Sequence, residues 1–258
     1  MATTSNKPSR KPIPVSQQKL VWAYSAGQCA FPECPLRALA RETDSDDATV
    51  IGEVAHIHSY EDDGPRANLA LSQEARNKYP NLLLLCAHHH TLVDKQSATY
   101  TAEMLQLWKH DTESRVSNAL RNAMPQVSFS ELERMTASLI THNGLPSQDL
   151  SVIPPAEKLK KNDLSPITHS YLAIALARAD VVRNFINTFT RIDDSFSTRL
   201  RAGFVNEYER LKALGIIGDE LFQEMLAFAA SGRTDLKSHA AGLAILGYYF
   251  EACEVFEK

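Results

Sequence analysis

The chain has no surplus of positive charge, few cysteines and no apolar run long enough to span a bilayer, and each absence removes a class of function. Its 258 residues carry 27 Lys and Arg against 31 Asp and Glu, a formal charge of -4. The balance holds in both halves, 13 against 14 up to Pro125 and 14 against 17 beyond it. Neither half binds nucleic acid by net charge, so any such contact must come from a local patch. The first twenty residues offer one, with Lys7, Arg10, Lys11 and Lys19 and no acidic residue. Four cysteines, three of them near histidines, do not form the repeated framework of a secreted disulfide protein; they suit a metal in a reducing compartment. The amino-terminal MATTSNKPSRKPIP lacks the apolar segment of a secretory signal. The most apolar run, Ala240 to Phe250, is too short for a membrane span and is followed by Glu251. A cytoplasmic protein without a membrane partner is expected.

A chain of this length predicts two domains, each able to bury its own core. Residues 1–15 are rich in Ser, Pro and Lys and are expected to be a disordered basic tail. Residues 16–123 read as the first domain, 124–164 as a helix and linker, and 165–258 as a helical domain. In the first, Val15 to Ala26 predicts a short helix stopped by Gly27. Thr49 to His58 predicts a strand with Val54, His56 and His58 on one face and Glu53, Ala55 and Ile57 on the other. Tyr60 to Pro80 predicts a long loop with one helical turn near Ser72 to Lys78, its Arg66 and Arg76 being candidates for phosphate contacts. Thr101 to Ala123 predicts an amphipathic helix capping a small core.

The informative stretch is Asn81 to Asp94, NLLLLCAHHHTLVD, a strand-like apolar run opening into a helix at a Cys and three His. Cys86 and His89 have C-x-x-H spacing, and upstream CAFPEC puts Cys29 and Cys34 on a Pro-bearing turn. Two such knuckles supply the four soft ligands of a structural zinc, although a lone Cys pair would more simply be buried as small hydrophobes. Adjacent helical residues point about 100° apart, so His90 cannot serve the ion that His89 serves and faces elsewhere. His88 is left for solvent or a supporting hydrogen bond. A zinc site uses four of these residues and leaves His56, Asn81 and His90 without a task.

The order CAFPEC, GEVAHI, GPR, NLLLLCAHHHTLVDK, TYTAEMLQLWK resembles the HNH endonucleases, a family of ββα-metal nucleases, over roughly Lys19 to Glu113. The resemblance implies an α+β chain: a small zinc-stapled ββα-metal nuclease domain followed by an all-α domain. It implies His56 as general base, Asn81 as the residue that orients it, and His90 as ligand to a catalytic divalent ion, Mg²⁺ or another. Many relatives carry Asp or His directly before the strand His; this chain has Ala55. Glu53 or His58, or phosphate oxygens and water, are then left to complete the metal's shell. The chemistry fits, since phosphodiester hydrolysis needs a base working near neutral pH and a cation at the leaving oxygen. The alternative is a zinc-stabilised nucleic-acid-binding or adaptor protein without turnover.

Beyond Pro125, Ser128-x-x-Glu131 opens a helix to His142, ended by Asn143-Gly144. The Pro- and Lys-rich Leu145 to Ser165 predicts the linker. Helices are expected at Pro166 to Thr188, Phe196 to Leu214, Asp219 to Ala230 and Asp235 to Phe256, with Cys253 a small buried hydrophobe. The last is apolar on more of its surface than one neighbour covers, so it is either the centre of a bundle or an interface. The region around GIIGDELF and AILGYYFEACEVFE also resembles helical domains of effectors in bacterial ABC-ATPase conflict systems. That resemblance implies an antiphage effector whose helical domain tethers the nuclease to an ATPase or adaptor and restrains it; the apolar last helix leaves a second copy as the other partner, and the endonuclease resemblance implies DNA as substrate.

Overall fold

The computed structural model describes residues 11–40, 43–139, 155–233, 235–252 and 255–256. The expectations for the first ten residues, for the helix end at Asn143-Gly144, for residues 145–154 of the linker and for Cys253 lie outside the described residues. The chain divides into two compact units, Met1–Val116 and Ser117–Lys258.

The first unit opens with helix α1 (Val15–Ser25), which buries Leu20, Val21 and Tyr24. It stops where Ala26 and Gly27 both turn left-handed, at φ 49° and 65°. Strands β1 (Leu39–Ala40) and β2 (Thr49–Val50) form one small antiparallel pair. Strand β3 (Gly52–His56) pairs antiparallel with β4 (Leu82–Cys86), from Gly52 opposite Cys86 to His56 opposite Leu82. Between them lies the single turn α2 (Gln73–Arg76), capped by the Ser72 hydroxyl; after β4 come α3 (Ala87–Lys95) and α4 (Ala102–Ala123).

The strand expected to run unbroken through Thr49 to His58 ends at His56 and is interrupted at Ile51, beside Gly52. Both backbone N–H groups there donate to the Ala38 carbonyl at 2.8 Å, the two-on-one pattern of a bulge. A side chain on Gly52 would put its Cβ 2.2 Å from that of Ala38, so the close approach requires glycine. The run of leucines in β4 is explained by burial on both faces. Leu83 and Leu85 join Ala55, Ile57, Val93, Leu105 and Trp108 on one side. Leu82 and Leu84 join Val21 and Ala38 on the other, with Val54 against them.

Described residues of the second unit beyond α4 form α5 (Phe129–Leu139), α6 (Pro155–Lys161), α7 (Pro166–Leu176), α8 (Ala179–Thr190), α9 (Phe196–Ala213), α10 (Gly218–Ala229) and α11 (Leu236–Glu251). Helix α11 is buried along most of its surface and packs on α5, α7, α8 and α10. Its broad apolarity is therefore spent on the centre of a bundle. Several boundaries differ from expectation, and α11 ends at Glu251 rather than at Phe256. The helix predicted over Pro166 to Thr188 breaks between α7 and α8, where the Arg178 guanidinium donates to the carbonyls of Met124, Pro125 and Val127. Within the expected linker, α6 forms because Lys158 is buried, donating to the Phe250 carbonyl at 2.8 Å near the end of α11. A cation suits that negative helix end. No helix among the described residues is long and apolar enough to cross a membrane.

Candidate active site and metal centre

One turn, one strand end and one helix start bring the soft ligands together. Cys29 and Cys34 lie on the turn after α1, Cys86 closes β4, and His89 lies in the first turn of α3. Their ligand atoms all lie within 4.8 Å of one another. A tetrahedral zinc at ordinary bond lengths separates sulfur from nitrogen by about 3.5 Å. His89 Nδ1 lies 3.5 Å from the Cys29 sulfur and 3.3 Å from that of Cys86, so the set fits such an ion. Phe31 lies flat on the His89 ring, 3.8 Å between centroids and 5° between planes, which fixes the direction of Nδ1. Burial pushes the Cys29 thiol up to about 12, a penalty on the thiolate that a bound cation would offset. Burial and the neighbouring His88 lower the His89 pKa, keeping the imidazole neutral as a ligand must be. His88 itself is exposed.

One residue further along α3, His90 turns away from this cluster. Its Nδ1 lies 2.5 Å from Glu53 Oε2 of β3, and its Nε2 lies 3.5 Å from Asp94 Oδ2, one helical turn later. Hydrogen bonding to Asp94 is the largest influence raising the His90 pKa; burial opposes it and Glu53 adds to it. Burial alone would raise the Asp94 carboxyl, but hydrogen bonds from His90 and Arg66 outweigh it and hold the group low. With a carboxylate oxygen at each ring nitrogen, His90 is held as a hydrogen-bonded ion pair between β3 and its own helix, which favours the imidazolium. Of the two substitutes considered for the ligand missing at Ala55, Glu53 reaches His90. His58 does not, because its Nδ1 donates to the Arg66 carbonyl at 2.9 Å.

His56 ends β3 and is buried. The amide facing its ring is that of Asn77, with Oδ1 2.8 Å from His56 Nε2. Asn77 Nδ2 donates to the carbonyls of Lys11 and Pro12, at 3.3 and 3.4 Å, which orients Oδ1 toward the imidazole. Neutral His56 then carries its proton on Nε2 and its lone pair on Nδ1. Asn81, the expected orienting residue, is spent on the main chain. Its Oδ1 accepts from the His58 N–H, and its Nδ2 donates to the carbonyls of His58 and Arg76, at 2.8 to 2.9 Å. Its backbone carbonyl accepts from Ile57 N–H. Asn81 thus continues the β3–β4 ladder past its last pair and fixes His56 through the strand end. Asn77 carries no local signal that separates it from any other loop amide, because its partners are distant in sequence.

Arg66 and Arg76 do not point outward as phosphate contacts would. Their side chains are 4% and 3% exposed. Arg76 donates to the carbonyls of Tyr60, Asn68 and Leu71 and pairs with Asp62, closing the long loop on itself. Arg66 donates to the carbonyls of His56, Ile57 and Val93 and pairs with Asp94.

No curated protein matches the chain. Residues 34–99, which hold β3, β4, α3 and three of the four soft ligands, match the model of the HNH endonuclease family.

Proposed function

We propose that the protein is a metal-dependent endonuclease that hydrolyses phosphodiester bonds of DNA, with His56 as general base. The observation that carries the reading is the pair, at 2.5 Å, between His90 of α3 and Glu53 of β3, the strand that ends in His56. Neither a zinc staple nor a core requires an imidazole between two carboxylates there. His56 takes the proton of the attacking water on Nδ1 while Asn77 holds Nε2. The water oxygen bonds to phosphorus, the bond to the 3′ oxygen breaks, and that oxygen takes a proton from solvent. His90 and Glu53 would hold the divalent ion, whose chemistry is to offset charge on the phosphate and the leaving oxygen. Asp94, at the other ring nitrogen, orients His90 as carboxylates behind ligating histidines do. Cys29, Cys34, Cys86 and His89 would hold a structural zinc.

The test is nicking of supercoiled plasmid in Mg²⁺. His90→Ala and Glu53→Gln are each expected to lower the rate by about 10²-fold or more at saturating DNA, with zinc content unchanged. Parent-like rates in both variants would remove the metal assignment.

The setting we propose is bacterial antiphage defence, with the helical unit docking on an ATPase, an adaptor or a second copy. This extends the resemblance of the helical region. With α11 enclosed, docking falls to outer positions such as Ile192, Leu214 and Ile217, which are exposed. Sedimentation of the full chain reads self-association: assembly should be lost in Ile192→Lys with Ile217→Lys. A parent that stays monomeric at high micromolar concentration contradicts the second-copy form.

A further inference from the structure

We infer that Arg66 is a positioning residue that sets the spacing between the general base and the metal ligands. The inference rests on the nuclease reading above. One buried guanidinium reaches both halves of the site. Toward the base, its Nε donates to the Ile57 carbonyl at 2.9 Å and its Nη2 to that of His56 at 3.4 Å. Toward the metal helix, Nη1 donates to the Val93 carbonyl and Nη2 to Asp94 Oδ1, both at 2.6 Å. The same Nη2 thus touches the residue that bears the base and the carboxylate that orients His90.

The backbone of Arg66 adds to this. Its carbonyl accepts the His58 Nδ1 proton, which turns His58 away from the strand end. Its φ is 54°, in the left-handed region that disfavours a side chain. A strained backbone carrying a long side chain that could otherwise be exposed at no cost indicates that the guanidinium's place is what is being held. Lysine cannot take over this task, because a single ammonium has no planar fork to reach four acceptors on two elements. The left-handed φ also supplies a clean probe, because glycine suits it and Arg66→Gly removes the guanidinium without new backbone strain.

The experiment compares the full-length parent, Arg66→Gly and Arg66→Lys for zinc content, thermal unfolding, Mn²⁺ affinity by calorimetry, and plasmid nicking resolved into kcat and KM. We expect both variants to keep zinc and a cooperative transition. Their Mn²⁺ affinity should fall by about 10-fold to 100-fold, as for residues that orient a ligand. Their kcat should fall about 10²-fold, the cost of a displacement near 1 Å, at unchanged KM for DNA. Ethylguanidinium should restore kcat in Arg66→Gly and do nothing for Arg66→Lys, whose side chain fills the space. Parent-like Mn²⁺ affinity and kcat in Arg66→Gly would overturn the inference while leaving the nuclease reading intact. Loss of folding in both variants with no recovery by ethylguanidinium would reduce Arg66 to a structural role. A parent that neither binds Mn²⁺ nor nicks DNA would sink the underlying nuclease reading instead.

Discussion

His56→Ala, folded and zinc-loaded, nicks supercoiled plasmid about 10² to 10⁴ times more slowly than the parent, the span that a general base contributes. The large effect follows from the position of His56. It is 8% exposed at the end of β3, and its Nε2 faces a carbonyl oxygen whose own orientation is fixed by two backbone acceptors. The ring therefore has a defined tautomer, which a histidine serving only as core filler does not need. Alanine removes the proton acceptor and leaves Asn77 and Asn81 with their backbone bonds. Asn77→Ala should cost less, since the base survives with its tautomer unspecified. Lys95→Ala, at an exposed position at the end of α3, should leave the rate unchanged and controls for a generally weakened α3. Equal nicking by the parent and His56→Ala would end the catalytic assignment and favour a binding module without turnover.

The parts of this site that were legible in the sequence are those encoded at short range. CAFPEC and C-x-x-H each fix two ligands within one turn, and adjacent helical positions forced His89 and His90 apart, as they are in the structure. The parts that were not legible depend on partners far along the chain. Asn77 meets His56 across 21 residues and Lys11 across 66. Arg66 and Arg76 look like phosphate ligands on a polar loop, because sequence alone cannot say that six carbonyls and two carboxylates will fold inward around them. The break between α7 and α8 at Ala177-Arg178 has no Gly or Pro to announce it; it is made by a guanidinium reaching carbonyls more than fifty residues upstream. The bulge at Gly52 was different. A glycine inside an alternating strand is itself a bulge signal, and Ala38 behind it supplies the reason.

Removing zinc should have the widest effect of any single treatment, unfolding the first unit while the helical unit keeps its far-ultraviolet signal. Apparent binding energies of structural zinc sites are about 10 to 16 kcal/mol, against about 5 to 15 kcal/mol for the whole stability of a typical domain. The four ligands join the turn after α1, the end of β4 and the start of α3. Without the ion, burial keeps the Cys29 thiol protonated, and only weak contacts of its sulfur and that of Cys86 with His89 tie these elements together at this corner. Because Cys86 is the last residue of β4 and the N-cap of α3, releasing it frees the helix that carries His90 and Asp94. Cys86→Ser should therefore abolish nicking through the fold, and added Mg²⁺ should not restore it. Zinc returned to chelated parent should recover both the thermal transition and the activity. Metal analysis should give one zinc per chain in the parent and substantially less in Cys86→Ser. An unchanged first transition after complete chelation would mean that the apolar contacts on both faces of β4 hold the unit by themselves, and the four residues would then be buried hydrophobes rather than a staple.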